Sequence, residues 1–349
     1  IRKDVLREVD GLQDDPFSIV EVQAALIKLR VGSTAVGFPR KACKSRGQDP
    51  LFLTHWALVN AIAALAAQPE TWFREVCPIR KHGHGPVHDP KVLRPITTVD
   101  VVESLLDGLW FAQVRCKLEA FMSMQQTGGR YEHFMLVLGM VLVLQSRMFH
   151  RMRSFLQAAD VERGFESVPR ILIRWLLRQA GVEGWNWLTA DIALGSEHVR
   201  VRVGQLIGTL ATLEHNSIGQ GKQSGVHLFG LYTKTLISAV NQAFQGVPMF
   251  PPLPDLYAQP GFHFPFQMYV DDAIVITEGE TDLQLVNAEL TKASSLWRCK
   301  FAGGKKGPRV LPLMPTHGPP TLTAFDGGKL CGHVPTCVDQ ITLLGILID

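Results

Sequence analysis

The sequence has little of several features that would place it in a class of protein at once. Charged residues make up 19% of the 349 positions, and the formal net charge is only +3. Soluble chains carry roughly 25% charged residues. This near balance excludes a highly basic, histone-like binder, so any contact with nucleic acid must come from local basic patches. The hydrophobic content of 46% allows a sizeable core, which excludes an intrinsically disordered or collagen-like protein.

Long apolar runs and regular cysteine spacings are also missing. The longest apolar run, Phe134 to Leu144, has 11 residues, whereas a membrane span needs about 20. We therefore expect a buried helix or strand there and no membrane association. The six cysteines are scattered, which favours a reducing intracellular setting over a disulfide framework. We expect no signal peptide, and we interpret the chain, which runs from Ile1 to "LLGILID", as a piece of a longer reading frame.

Apolar periodicity predicts a helical front and a strand-centred back, which is an α+β pattern. Ser18 and Glu21 have the spacing of a capping box that opens a helix. A second helix is expected from Leu51 to Ala67. Within residues 71–99, two short apolar strands flank a loop rich in Gly, Pro and His, which predicts a hairpin. From residue 154 onward, short strands alternate with amphipathic helices.

An acidic pair stands between apolar strand formers in "MYVDDAIVI". Asp271 and Asp272 would be costly to hold in a core unless they pair or bind a cation. A tight β-turn would place both at a sheet edge within reach of Mg²⁺, which prefers oxygen ligands and takes one or two carboxylates. The alternative is an ordinary acidic hairpin turn.

Two-metal phosphoryl transfer needs a further carboxylate from another strand, because two cations must be held about 3.5–4 Å apart. Asp160 ends an apolar strand, and Asp191 has similar flanks. Asp191 lies only 29 residues before Gln220, too few for the helix and the strand expected between them. Asp160 lies 60 residues before Gln220, which accommodates both. We therefore favour Asp160 and interpret Asp191 as a surface turn.

Taken in order, these segments resemble the reverse transcriptase domain of non-LTR (LINE-type) retrotransposons. "DVERGFESVPR" is similar to the first palm motif of that family, "QGKQSGVHLFGLY" to the second and "MYVDDAIVI" to the third. "GGKKGPRVL" resembles the fourth, which carries a Lys, and "LLGILID" resembles the strand after the palm. Upstream, "TWFREVCPIRKHG" and "RPITTV" resemble the finger strands, and "PFSIVEVQAALIKL" through "VGFP" resembles the segment that leads into them. The ordered set is far more specific than any single motif.

The resemblance implies a right-hand polymerase fold. Residues 1–150 would form the fingers and the start of the palm. Residues 151–349 would form the palm, the reverse transcriptase core, with an antiparallel sheet that carries the catalytic carboxylates. The thumb would lie beyond Asp349. The implied reaction is DNA synthesis from dNTPs on an RNA template and a DNA primer. The resemblance also implies a nuclear location for an active element, and the oligomeric state is left open.

The same resemblance assigns site residues. Asp160 and Asp271 would hold two Mg²⁺ ions, for which Mn²⁺ could substitute, and Asp272 would assist beside them. The metals would activate a primer 3′-hydroxyl and neutralise the leaving pyrophosphate. The residues implied in nucleotide binding are Lys81, Arg94, Phe165, Gln220, Gly221, Tyr269 and Lys306.

Phe165 stands where the family places an aromatic ring against the sugar, so that a 2′-hydroxyl clashes; the alternative is a core Phe. Lys81 and Arg94 would bind the triphosphate; the alternative for each is a solvated surface cation. Lys306, or its neighbour Lys305, would approach the pyrophosphate side. Gln220 and Gly221 would line the pocket for nucleotide and template, since a Gly allows close backbone approach.

The chain also departs from the family pattern. Gly164 replaces the usual Ala, and Glu166 replaces the usual Asp. The loop at Lys222–Val226 lacks the usual prolines, which we expect to loosen it. These departures keep an alternative open: a catalytically decayed copy that at most binds nucleic acid. A second alternative, an RNA-directed RNA polymerase, is disfavoured by Phe165.

Several weaker signals are interpreted conservatively. Two basic segments, residues 40–46 and the six Lys or Arg between Leu290 and Phe325, are candidate phosphate contacts or solvated loops. The set Cys331, His333 and Cys337 is an incomplete zinc site, and we expect free thiols. We interpret His82, His84 and His88 as part of a finger loop. We interpret Trp185 and Trp187 as core residues.

Overall fold

A computed structural model describes residues 17–28, 50–65, 74–80, 93–98, 101–130, 133–195, 197–203, 205–209, 211–213, 216–218, 222–249, 263–313, 328–343 and 346–348. The chain forms two compact units. One consists of Ile1–Phe121 with Pro169–Leu228, and the other of Met122–Val168 with Phe229–Asp349. The expected fingers at 1–150 and palm at 151–349 stay a prediction.

The described helices and strands alternate along the chain. The helices are α1 (Ile19–Lys28), α2 (Pro50–Leu65), α3 (Val101–Phe121), α4 (His133–Phe149), α5 (Gly164–Ser167), α6 (Arg170–Gln179), α7 (Gly184–Ala193), α8 (Gly225–Ala243) and α9 (Glu280–Trp297), with a 3₁₀ turn at Gly304–Lys306. The strands are β1 (Arg74–Arg80), β2 (Leu93–Thr98), β3 (Ser154–Asp160), β4 (Glu197–Val203), β5 (Leu206–Ile207), β6 (Ala211–Leu213), β7 (Val247–Pro248), β8 (His263–Phe264), β9 (Gln267–Tyr269), β10 (Asp272–Thr277), β11 (Arg309–Leu313), β12 (Thr336–Cys337), β13 (Ile341–Leu343) and β14 (Ile346–Ile348).

The first unit begins with the predicted capping box. The Ser18 backbone N–H donates to Glu21 Oε2 at 2.8 Å, and the Glu21 N–H donates to Ser18 Oγ at 3.3 Å. This reciprocal pair satisfies N–H groups that the first turn of α1 leaves without helical partners. Helix α2 matches the second predicted helix. The buried core of this unit joins α1, α2, α3 and α7 through Phe17, Val22, Leu26, Val59, Ile62, Leu105, Leu106, Leu109 and Ile192.

A sheet with the strand order β2–β1–β4–β5 completes the first unit, and β6 also pairs with β4. Strands β1 and β2 are antiparallel, as the predicted hairpin requires. Strands β1 and β4 are parallel, which is possible because a long helical stretch separates them in sequence.

The second unit is built on a sheet with the order β12–β11–β3–β10–β9. Every described pairing in it is antiparallel except that of β11 with β12. Strand β3 is buried along its length up to its last residue, Asp160. The sheets are mostly antiparallel and the chain is mixed in helix and strand, so the α+β class is confirmed.

The longest apolar run is only partly buried, which corrects the expectation of a buried element. It lies in α4, where Met140 and Val143 contact the core. Phe134, Leu138 and Leu142 recur every four residues on another face and are exposed. The reason is geometric: the run is apolar all round the helix, and only one face meets the sheet. No helix within the described ranges is long and apolar enough to span a membrane.

Candidate functional site

The acidic pair lies at a two-residue hairpin turn. Tyr269 of β9 pairs with Asp272 of β10, which leaves Val270 and Asp271 at the tip. Val270 has a φ of +52°, and Asp271 is not among the residues with positive φ. Two-residue hairpins need a positive φ at one or both tip positions, and Gly, Asn or Asp usually supply it. A β-branched residue in that conformation is strained, so contacts elsewhere must hold this turn.

Asp160 meets the acidic pair across the sheet. It lies directly opposite Asp272 in the antiparallel register of β3 and β10. Directly opposed side chains share a face, with Cβ atoms about 4.5–5.5 Å apart. The Val161 N–H donates to the Asp271 carbonyl oxygen at 2.9 Å. The structure therefore brings the three predicted carboxylates to one edge of the sheet.

The segment before β11 lies along the end of β3. The Ala302 N–H donates to the Asp160 carbonyl oxygen at 2.8 Å, and the Glu162 N–H donates to the Lys300 carbonyl oxygen at 2.7 Å. The 3₁₀ turn that follows places Lys306 Nζ at 3.2 Å from Asp160 Oδ2. The side chain of the alternative candidate, Lys305, is outside the described part of the structure.

The electrostatics of this edge show an excess of negative charge. Burial raises the pKa of Asp272 to about 6; the charges of Asp271 and Asp160 act in the same direction, and Arg309 and Lys306 oppose them. Burial also raises the pKa of Asp271, and the charge of Asp160 adds to this effect. A shift of this kind means that the ionised carboxylates lack enough compensating positive charge.

The donor chemistry fits a hard divalent cation. The strand register brings three carboxylate residues to one end of the sheet, and a cation, the Lys306 ammonium, already contacts Asp160. Oxygen-only donors of this kind suit Mg²⁺. In the described ranges, no three His, Cys, Asp or Glu side chains are already arranged as a metal-binding group. Asp160, Asp271 and Asp272 are the residues that would hold such an ion.

Phe165 lies in the short helix α5, which follows Arg163 in the left-handed conformation (φ +51°). Its half-buried ring stacks on Phe229 of α8, with the ring centroids 5.2 Å apart. A Cβ atom at Gly164 would come within 3.0 Å of the Phe229 ring and 3.5 Å of the Asp271 Cβ. The absence of a Cβ atom at Gly164 therefore lets Phe229 approach the acidic turn closely.

Tyr269 ends β9 and is half-buried. It lies opposite Asp272 in the register, so it shares a face of the ladder with that carboxylate. Its ring packs against the apolar cluster around Met140 and Ile274. Tyr269 therefore anchors the first strand of the hairpin to the core, and its assignment to nucleotide binding stays a prediction.

The other predicted nucleotide-binding residues belong to the first unit. Arg94 lies on β2 opposite Ile79, and its side chain is outside the described part of the structure. Three of the predicted residues are themselves outside it: Lys81, Gln220 and Gly221. The three histidines of the expected finger loop, His82, His84 and His88, are outside it too. Their assignments stay predictions.

We expected Asp191 to lie in a surface turn, and this was wrong: Asp191 belongs to α7. Its Oδ1 atom forms an ion pair with Arg174 Nε at 2.7 Å, and both side chains are about one-quarter exposed. The residue is helical because apolar neighbours such as Leu188 and Ile192 recur at helical spacing and are buried. Its carboxylate thus has a structural partner.

The segment Lys222–Val226, which we expected to be a loosened loop, is held by contacts at Lys222 and Ser224, and its last two residues already belong to α8. Lys222 Nζ forms an ion pair with Glu103 Oε1 at 2.9 Å, and both side chains are almost fully buried. The Ser224 N–H donates to Asp107 Oδ2 at 3.2 Å, and the Ser224 hydroxyl donates to Asp107 Oδ1. Contacts with α3 thus replace the stiffness that prolines would have supplied.

Two further findings concern residues outside the acidic turn. The cysteines at 116, 299, 331 and 337 are free thiols, as expected. Sequence reasoning missed Gln126, whose side chain is 1% exposed and contacts Val270 in the turn. A Gln is usually exposed, and the neighbouring Gly128-Gly129 pair is the one local signal of a tight approach.

Comparisons with known proteins add no assignment. No model of a known protein family matches the chain, and no curated protein is significantly similar to it.

Proposed function

We propose that the chain is an RNA-directed DNA polymerase, the reverse transcriptase core of a non-LTR retrotransposon. The observation that carries this proposal is the register that sets Asp160 opposite Asp272, with Asp271 at the adjoining turn. Two strands far apart in sequence thus contribute carboxylates to one edge, which is the arrangement that two-metal nucleotidyl transfer requires. The proposed partners are an RNA template, a DNA primer and dNTPs.

The proposed fold is that of a right-hand polymerase, with the fingers at 1–150 and the palm at 151–349. The five-stranded sheet, its central strand β3 and the acidic turn between β9 and β10 support this proposal. The ordered motifs that resemble the family support it independently, because they are features of the sequence alone and cover both units.

The chain's own residues have distinct roles in the proposed reaction. Asp160, Asp271 and Asp272 would hold two Mg²⁺ ions, which when bound supply activation of the primer 3′-hydroxyl and neutralisation of phosphate charge. Lys306 stands at Asp160 with its side chain 73% exposed, so it is free to turn toward a pyrophosphate leaving group. Phe165, stacked on Phe229, would exclude a ribose 2′-hydroxyl.

Primer extension tests the proposal. Purified protein, an RNA template with an annealed DNA primer, dNTPs and Mg²⁺ are compared with the same mixture containing Asp271→Asn. We expect extension by the wild type and a loss of about 100-fold or more in the variant. Asp191→Asn is the matched control, because it removes a carboxylate of α7 that forms an ion pair with Arg174 of α6. This variant should extend primers normally.

Two outcomes would contradict the proposal. A folded wild-type protein that neither extends a primer nor binds Mg²⁺ in a calorimetric titration would favour the decayed copy. Extension that favours ribonucleotides would favour an RNA-directed RNA polymerase.

A further inference from the structure

The turn that carries Asp271 needs support that its own residues do not supply. Val270 adopts a φ of +52°, a strained conformation for a β-branched residue that persists only where surrounding contacts enforce it. Those contacts come from residues 125–128, a segment outside every motif identified in the sequence.

The Gln126 side-chain amide forms hydrogen bonds with both the N–H and the carbonyl oxygen of Val270. Its Oε1 atom accepts from the Val270 N–H at 2.9 Å, and its Nε2 atom donates to the Val270 carbonyl oxygen at 3.1 Å. The same Oε1 accepts from the Gly128 N–H at 3.0 Å. Nε2 also donates to Thr233 Oγ1 at 2.8 Å. All four hydrogen-bonding positions of the amide are thus used.

Thr233 of α8 sets the orientation of this amide. The Thr233 hydroxyl donates to the Gly230 carbonyl oxygen at 3.1 Å, so its oxygen is left to accept from Gln126. A reversed amide would set its NH₂ group against the N–H groups of Gly128 and Val270. The hydrogen-bond network therefore determines which end of the Gln126 amide faces the turn.

The backbone around Gln126 adds a second attachment to the hairpin. The Thr127 N–H donates to the Met268 carbonyl oxygen at 3.0 Å, and the Met268 N–H donates to the Gln125 carbonyl oxygen at 2.9 Å. A Cβ atom at Gly128 would lie 2.5 Å from Val270 Cγ2 and from its backbone nitrogen. The segment is thus packed directly against the turn, with space for no larger residue than Gly.

We propose that Gln126 is a positioning residue that holds the Val270 peptide in its left-handed conformation and thereby places the Asp271 and Asp272 carboxylates opposite Asp160. Its effect on polymerisation rests on the proposed function. Its effect on the turn does not, since it follows from the four hydrogen bonds alone. No aliphatic side chain of the same length can replace them, and Glu would set a carboxylate oxygen against the Val270 carbonyl.

The test compares Gln126→Leu with Gln157→Leu. Gln157 is a matched control because it is also a buried amide of this unit, 2% exposed. It lies on β3, away from the turn, and its side chain forms two hydrogen bonds with Asn287 of α9, at 2.7 Å and 3.0 Å. Two readouts are used: hydrogen exchange of the peptide spanning residues 266–275, and the kinetic constants of primer extension.

We expect Gln126→Leu to speed exchange in this peptide by roughly tenfold or more, because its bond protects the Val270 amide. It should lower kcat by about 10–100-fold with little change in the KM for dNTPs, as expected when groups that act in the transition state are misplaced. Gln157→Leu should change neither by more than about twofold. Thr233→Val, which removes only the partner that orients the amide, should act in the same direction but more weakly.

The outcomes separate the two proposals. Rapid exchange in Gln126→Leu with no extension even by wild type would support the positioning role and contradict the polymerase function. Normal exchange and normal kcat in Gln126→Leu would overturn the positioning role while the function stands. If Gln126→Leu fails to fold, Thr233→Val decides: unchanged exchange and unchanged kcat in that variant would overturn the inference.

Discussion

Asp272 of β10 lies directly opposite Asp160 of β3, so two carboxylates face each other across an antiparallel ladder. Like charges in directly opposed positions destabilise a sheet. The pKa of Asp272 is raised first by burial, and the like charges of Asp271 and Asp160 add to that shift. The opposed pair therefore lowers stability, and under the proposed function the same negative charge would bind Mg²⁺.

Removing one of the opposed charges is expected to stabilise the metal-free protein. Asp272→Asn should raise the free energy of unfolding by about 0.2–1 kcal/mol at pH 7. Folding raises this pKa from its ordinary value of 3.8 to about 6, so the native state holds more protons than the unfolded state between these values. Wild-type stability should therefore fall as pH rises from about 4 to 6, and the advantage of the variant should grow.

Urea denaturation in EDTA at several pH values measures this difference. Asp191→Asn serves as the control, since its carboxylate is paired with Arg174. An advantage of Asp272→Asn that is largest at pH 4 would contradict the prediction.

Divalent cations are expected to reverse the penalty. At pH 7, Mg²⁺ should raise the melting temperature of the wild type, because a ligand bound only by the native state stabilises it by about 2.7 kcal/mol at 100 times Kd. Asp271→Asn should show a much smaller shift, since it lacks one of the converging carboxylates. Thermal unfolding with Mg²⁺, with Ca²⁺ and in EDTA tests this, and equal shifts in both proteins would refute a cation site at this edge.

Lys306 is expected to matter for catalysis and hardly at all for stability. Its ion pair with Asp160 is 3.2 Å long, but the Lys306 side chain is 73% exposed, and such exposed pairs contribute about 0–1 kcal/mol. Lys306→Gln should therefore unfold nearly as the wild type does, while its primer-extension rate falls by roughly tenfold.

Lys292→Gln provides a closely matched control, because Lys292 is 72% exposed and has a comparable surface partner in Glu289. It should change neither property. If the two variants extend primers at the same rate, Lys306 has no role in the reaction.

Phe165 is expected to control which sugar is accepted. Phe165→Ala removes the ring that stacks on Phe229 and, under the proposed function, leaves room for a 2′-hydroxyl. The ratio of kcat/KM for dNTPs to that for rNTPs should fall by about tenfold or more, because the discrimination is steric. Phe149→Ala, which removes a highly exposed ring at the end of α4, should leave the ratio unchanged. A constant ratio in Phe165→Ala would show that this ring belongs only to the core.

The buried pair of Lys222 and Glu103 is expected to be the main anchor of its loop. Lys222→Met should lower the free energy of unfolding by about 3–5 kcal/mol, because it removes the buried ammonium that compensates the buried Glu103 carboxylate. Combining it with Glu103→Leu should restore most of the loss, since no charge is then stranded. A double-variant cycle in urea measures the coupling, and additive losses would show that the two side chains act independently.

The sequence by itself determined the local features of this protein. The capping box at Ser18, the helix after it, the hairpin of β1 and β2 and the strands that carry Asp160 and Asp272 all follow from short-range rules of apolar period and turn chemistry. The ordered motifs also singled out the three carboxylates before their register was known. Where the local pattern was ambiguous, as in the apolar run of α4 or around Asp191, sequence reasoning predicted the wrong degree of burial or the wrong element.

Only the tertiary structure decided which distant residues support the site. Lys306 contacts Asp160 from 146 positions away, and Gln126 holds Val270 from 144 positions away. The ion pair of Lys222 with Glu103 likewise stabilises a segment that we expected to be loosened by its lack of prolines. Such contacts do not appear in the apolar periodicity of the sequence, because each depends on one amide or ammonium whose partners are distant in the chain. Packing therefore brings these partners together, although the sequence already predicted the three carboxylates of the proposed site.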